Sequence, residues 1–202
     1  CELESENCEK GADSVNILYL SNLIEEKGYM EFLNAMEILS KREFNEKIEV
    51  TLCGSIYDGD VEQNTKEVDL IIDRVNFSDQ VDIKWIKGAY GSDKSKLFKK
   101  ADLFIFPSKY KVEAQPIILI EAMASSCAII TTEVGEIPST VSVDNAILLK
   151  EPEPKFITQQ VIDLIEDREV LLSMQKASRE RFENNFSIDV YKKNWREIFE
   201  SL

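Results

Sequence analysis

Six short apolar runs, separated by stretches of helical spacing, constrain this chain more than any other feature. They cover residues 15–20, 48–53, 81–86, 103–106, 128–132 and 146–149. Between them apolar side chains return every three or four positions: Phe32, Leu33, Met36 and Leu39, then Val68, Ile71, Ile72 and Val75. Leu97 and Phe98 mark a shorter helix, and Ile117, Ile120, Glu121 and Met123 another. Antiparallel hairpins close through a few residues, whereas parallel strands need crossovers of about a dozen or more. The runs are continuously apolar rather than alternating, as strands become when helices cover both faces of a sheet. The pattern predicts an α/β fold, a doubly wound, mostly parallel six-stranded sheet. Beyond residue 154 it is purely helical, with two or three closing helices over 156–165, 170–182 and 188–199 and with Ser187 and Asp189 near a cap of the last. Residues 1–14 carry no periodicity and read as a linker, leaving 15–202 as one folded unit.

Charge and composition remove whole classes of function. The 202 residues have a formal net charge of −14, a field that repels phosphate backbones and argues against a nucleic-acid partner. The chain contains no histidine, which excludes Ser-His and Cys-His catalysis and His-ligated metals by its own residues. No apolar stretch is long enough for a transmembrane segment, so a soluble chain is expected. Cys1, Cys8, Cys53 and Cys127 form no CxxC pair, and the last two border apolar runs. They read as buried free thiols rather than bridges, which implies a reducing, cytoplasmic compartment. The first residue is Cys1, and the chain is expected to begin inside a longer polypeptide. Neither GxGxxG nor a Walker A motif is present, which disfavours NAD enzymes and P-loop NTPases.

Open parallel sheets bind ligands beyond the carboxyl ends of their strands. The loops to inspect are therefore 21–28, 54–60, 87–94, 107–116 and 133–138. The richest is PSKYKVEAQPIILIEAMA at 107–124. Pro116 suits a first helical turn, where a missing N–H costs nothing, and free amides there make a phosphate seat. Glu113 precedes this helix and Glu121 lies inside it. Two carboxylates bordering one cleft would accept hydrogen bonds from a polyol on either side of a diphosphate. The alternative is a solvated Glu113 and a surface Glu121. In the first loop, Lys27 stands before Gly28 and could neutralise a diphosphate, with Asn22 as a neutral donor; it could equally pair with Glu25 or Glu26. Gly54, Gly88 and Gly91 permit close backbone approach or tight turns.

Several segments occur together in a fixed order: YLSNLIEEKG at 19–28, CG at 53–54, KGAYGSDKSKLFKKADLFIFPS at 87–108, the E-x7-E pair within VEAQPIILIEAMA, TTEVGEIPSTV at 131–141, and the closing FSIDVYKKNWREIFESL. This arrangement resembles the C-terminal, nucleotide-sugar-binding domain of the retaining GT-B glycosyltransferases, the glycosyl transferases group one. The resemblance covers nearly all of 15–200 and implies a Rossmann-like half of a two-domain enzyme.

The same resemblance implies roles. Glu121 would bind the donor ribose hydroxyls and Glu113 the transferred sugar. Lys27 would grip the diphosphate with Asn22 beside it. The amides of Ala114, Gln115 and Ile117 would line the sugar-phosphate site around Pro116. Gly54 follows the second strand in the donor site, and Gly88 would lie near the nucleobase. Glu113 and Lys27 are the residues expected to act in catalysis. The implied donor is a nucleoside-diphosphate sugar, with no cofactor and no metal, and the acceptor is a glycan or lipid-linked sugar held by an N-terminal domain absent from these 202 residues. A fragment of this kind would bind donor without transferring sugar alone. Polysaccharide or glycolipid assembly would place the full enzyme at the inner membrane face. The sequence departs from the family pattern at Asn22, where an arginine is usual, at Ala114–Gln115 in place of glycine–phenylalanine, and at Ser126, Ala128 and Ser139, where Gly, Pro and Glu are frequent. A nucleotide-sugar epimerase of the same fold, or a non-catalytic partner subunit, is the alternative.

Overall fold

The structure, a computed structural model, describes residues 14–200. Six strands form one sheet: β1 Ser14–Leu20, β2 Lys47–Cys53, β3 Val81–Ile86, β4 Leu103–Phe106, β5 Ala128–Thr132 and β6 Ala146–Leu149. They lie in the order β3-β2-β1-β4-β5-β6, and every pairing is parallel. The helices are α1 Tyr29–Leu39, α2 Val61–Asn76, α3 Gly91–Lys100, α4 Ile117–Ala124, α5 Ile137–Thr140, α6 Pro154–Glu166, α7 Arg168–Asn185 and α8 Ile188–Glu200. The doubly wound α/β fold expected from the six runs is present, and its sheet is wholly parallel.

Two apolar layers enclose the sheet because successive strand residues face opposite sides. Val15, Ile17 and Tyr19 of β1 pack with Phe32, Leu33 and Met36 of α1 and with Ile157 and Val161 of α6. Leu18 and Leu20 join Phe98 of α3 and Leu119 and Met123 of α4 on the other face. Each such side chain, fully buried, contributes about 1.5–3 kcal/mol. Between the layers, Asp102 is 4% exposed, and its Oδ2 accepts from the Asn16 amide at 2.9 Å and the Asn16 side chain at 3.2 Å. Gln175 of α7 donates to the Asp102 carbonyl at 3.0 Å and to its Oδ1 at 3.3 Å, which ties the C-terminal helices to the sheet.

Three expectations need correction. The runs are not all continuously apolar: β2 and the edge strand β3 alternate, with Lys47, Asp82 and Lys84 exposed. Ser14 is not linker: it begins β1 in register with Lys47 of the neighbouring strand. Pro116 is not in the first turn of α4 but caps it, with ψ at 103°, and its carbonyl accepts from Leu119 at 3.0 Å. The terminal region contains three helices, with the Ser187 hydroxyl receiving the Val190 amide at the start of α8. Ser126, just past α4, has φ +56°, a left-handed conformation that glycine adopts at least cost. Cys53 and Cys127 are buried, and the Cys127 thiol donates to the Phe98 and Ala101 carbonyls, while Cys1 and Cys8 lie outside the described residues. Among the described residues no helix is long and apolar enough to cross a membrane.

Candidate functional site

The chain reverses its winding direction between β1 and β4, so the loops leaving their carboxyl ends diverge and leave a crevice. Lys27 and Glu113 come from these two loops. A 3-10 turn at Glu25–Lys27 ends in Gly28, whose φ of +76° turns the chain into α1. A Cβ on Gly28 would lie 2.0 Å from the Pro107 carbonyl oxygen, so at this point the two loops approach too closely for a side chain. The phenol of Tyr19, buried in the core, donates to the Lys27 carbonyl at 3.2 Å and fixes this turn from below. Burial pushes that phenol well above its ordinary value, so it stays a neutral donor.

Lys27 reaches across the crevice. Its Nζ donates to Glu113 Oε2 at 2.5 Å, and it lies 4.8 Å from the centre of the Tyr110 ring. Ser108 donates to the same carboxylate oxygen at 3.2 Å. The competing expectation, a Lys27 paired with Glu25 or Glu26, is overturned: its ion pair is with Glu113, because the 3-10 turn carries its side chain inward. Glu113 is braced from behind as well. The Glu136 amide donates to its carbonyl at 2.8 Å, and Gly135 approaches so closely that a Cβ would lie 2.2 Å from that oxygen. Ala114, Gln115 and Ile117 are exposed beside buried Pro116. Their amides make no hydrogen bond among the described residues, and they border the positive end of α4.

A second group lies at the ends of β1, β2 and β3. Here a cleft of about 180 Å³ is lined by Asn22, Gly54 and Gly88, together with Cys53, Lys87 and Lys94. Gly54 packs against neighbouring backbone: a Cβ would lie 1.8 Å from the Ser21 carbonyl oxygen. Trp85 donates its indole N–H to the Gly54 carbonyl at 2.9 Å and fixes the cleft wall. Burial pushes the Cys53 thiol up, with Lys94 pulling the other way, and burial lowers the Lys87 ammonium.

Lys94, in the first turns of α3, was not among the candidate residues. It pairs with Glu121 of α4, donating to Oε1 at 2.8 Å with Oε2 at 2.6 Å. Both side chains are about a quarter exposed. The signal that could have found it is its spacing: Lys94 stands four residues before Phe98, the one buried residue of α3, and so shares its inward face. Two of the lysine–carboxylate pairs thus join the candidate acids to lysines of other elements, Lys27–Glu113 and Lys94–Glu121. Asn22, Gly54 and Gly88 share a cleft with Lys94; Lys27, Glu113 and residues 114–117 do not line it. Among the described residues no three Asp, Glu or Cys side chains are placed to share a metal ion.

Comparisons with known proteins bear on the family and the fold. The capsular polysaccharide biosynthesis glycosyltransferase CapM of Staphylococcus aureus is 26% identical over 187 residues, covering 92% of this chain and 45% of that protein. The chain therefore spans less than half the length of that relative. Among solved structures, the C-terminal domain of LpcC, a glycosyl transferase group 1 protein of Francisella tularensis, superposes with a TM-score of 0.71 at 20% identity, covering 88% of each chain. HepE of Anabaena, solved with UDP, gives a TM-score of 0.75 at 18% identity, over 95% of this chain and 50% of that one. Residues 3–181 match the family profile described as Glycosyl transferases group 1, and the chain belongs to that family.

Proposed function

We propose that this domain binds the donor of a retaining glycosyltransferase, a nucleoside-diphosphate sugar, for transfer of the sugar to an acceptor hydroxyl during polysaccharide or glycolipid assembly. The observation that carries this reading is the pair of lysine-held carboxylates at the carboxyl edge of a parallel sheet, with unfilled amides beside one of them. A nucleoside-diphosphate sugar presents two polyols flanking two phosphates. Glu121 accepts from the ribose and Glu113 from the transferred sugar. The diphosphate lies between them, against Lys27 and the amides of Ala114, Gln115 and Ile117.

In this arrangement the bond between the sugar and its phosphate oxygen breaks, and negative charge grows on the leaving diphosphate. Lys27 can meet that charge without leaving Glu113, because an ammonium has three N–H donors. The charge-assisted pair holds the Glu113 carboxylate in one orientation against the sugar. Asn22 adds a neutral donor at the cleft, Gly88 allows the nucleotide to approach the backbone closely, and Gly54, packed on Ser21, shapes the donor-site wall. The UDP and UDP-glucose complexes of HepE, and the capsule role named for CapM, support the donor class and the biosynthetic setting. The length ratio to CapM supports an acceptor-binding domain outside residues 15–202. The buried thiols of Cys53 and Cys127 support a reducing, cytoplasmic setting.

Isothermal titration of the 202-residue chain with UDP, GDP and ADP tests the reading. One of the three is expected to bind, and Glu121→Ala is expected to weaken it about tenfold or more, the loss of one or two hydrogen bonds to a charged group. Absence of binding by all three at millimolar concentration, or a Glu121→Ala protein with unchanged affinity, refutes it.

A further inference from the structure

Glu121 is the one charged residue in α4, a helix otherwise made of isoleucine, leucine, alanine and methionine. A carboxylate half-buried in such a surface needs a counter-charge. Among the described residues its ion-pair partner is Lys94. The pairing is asymmetric. Lys94 Nζ makes an aligned hydrogen bond to Oε1 at 2.8 Å, whereas Oε2, although 2.6 Å away, is buried with no hydrogen-bond partner. The carboxylate is thus neutralised and held, with acceptor capacity left on one oxygen.

We propose that Lys94 is a positioning residue for nucleotide recognition, fixing the Glu121 carboxylate so that Oε2 takes a hydrogen bond from a ribose hydroxyl. The proposal rests on the donor-binding reading above. A carboxylate oxygen without an aligned hydrogen bond accepts from any O–H or N–H, but the charge that would attract a second cation is already balanced by Lys94. A neutral hydroxyl therefore fits better than an ammonium. The lysine stem is long and flexible, so its head can move off Oε2 while keeping its bond to Oε1. Lys94 also lines the cleft with Asn22, Gly54 and Gly88, so the pair meets the space a nucleoside would occupy through its lysine, with Glu121 behind it. Lys94 then discriminates ribose from sugars lacking its hydroxyls. It does so through Glu121, and leaves the phosphate contacts to Lys27 and the amides near Pro116.

The test compares whichever of UDP, GDP and ADP binds the wild-type chain with its 2′,3′-dideoxy analogue, by isothermal titration. The wild-type protein is expected to prefer the ribose form about tenfold, since two hydroxyl contacts to a carboxylate are lost in the analogue. Lys94→Met is expected to lower affinity for the ribose form nearly to that of the analogue, leaving affinity for the analogue unchanged within about twofold. Lys94→Arg, which keeps the charge, restores the preference. A thermal melt of both variants shows whether folding is intact, and the arginine variant keeps the test informative if methionine lowers it. Three results overturn the inference: no ribose preference in the wild type, a Lys94→Met protein with the wild-type preference, or equal weakening of both ligands, which would assign Lys94 to the phosphates. Failure of all three nucleotides to bind the wild type is a different outcome, and removes the donor-binding reading itself.

Discussion

Gly28 joins the two loops that hold Lys27 and Glu113, and replacing it with alanine should separate them. Two costs add at this position. The backbone has φ +76°, and a Cβ in the left-handed region costs about 1–2 kcal/mol. The new methyl would also lie 2.0 Å from the Pro107 carbonyl oxygen, against a practical limit of 3.0 Å, so the loops must open by about 1 Å. Overpacking of that kind costs about 1–3 kcal/mol. Gly28→Ala is therefore expected to lose about 2–5 kcal/mol in all. Gly91 provides the control, because its φ is +52° and a Cβ there meets nothing within 4 Å. Gly91→Ala should lose only the backbone part, about 1–2 kcal/mol. Urea unfolding of both variants and the wild type, with the slope m compared, measures the two losses. Equal losses in the two variants would refute the claim that backbone contact at Pro107 sets the position of the Lys27 turn.

The packing beneath the site yields two more expectations. Tyr19→Phe removes the hydrogen bond to the Lys27 carbonyl and should cost about 1 kcal/mol at neutral pH. Because burial raises the folded-state value of this phenol, the neutral form is favoured in the fold; its contribution is complete below the unfolded value near 10 and is lost as pH rises through the higher folded one. The wild-type protein should therefore lose stability more steeply than Tyr19→Phe in alkaline denaturation series, and parallel curves would contradict this. Asp102→Ala leaves the Asn16 amide and the Asn16 side chain without their acceptor, while Gln175 keeps its bond to the main-chain carbonyl of residue 102, and should cost about 2–4 kcal/mol in urea unfolding. A loss no larger than that of Asp82→Ala, an exposed carboxylate 3.8 Å from Lys47, would show that the Asp102 carboxylate does not brace Asn16 of β1.

The legible and illegible parts of this chain divide along a physical line. Strand positions follow from local composition: β4 and β5, covered on both faces, are buried throughout, whereas β2 and the edge strand β3 alternate, and the six runs coincide with β1 to β6 to within one residue at either end. The order of the sheet follows from crossover length, and the order of the sheet locates the crevice. What local composition does not carry is which side chain crosses it. Lys27 and Glu113 are 86 residues apart, and nothing within 21–28 distinguishes a Lys27 turned inward from one paired with its glutamate neighbours. The deciding contact is made by the Gly28 backbone against Pro107, a close approach that leaves no trace in the residue pattern of either loop. Lys94 was hidden for the opposite reason. It sits in SDKSKLFKK among three other lysines, and composition gives them equal standing. Only its place on the Phe98 face of α3, opposite the lone acid of an apolar helix, separates it from Lys96 and Lys100, which stay in solvent. A charge on the buried stripe of an amphipathic helix requires a partner from the element packed against it. Searching α4 for that partner leads to Glu121, so the second half of the site was recoverable once the helix face, rather than the charge count, is taken as the signal.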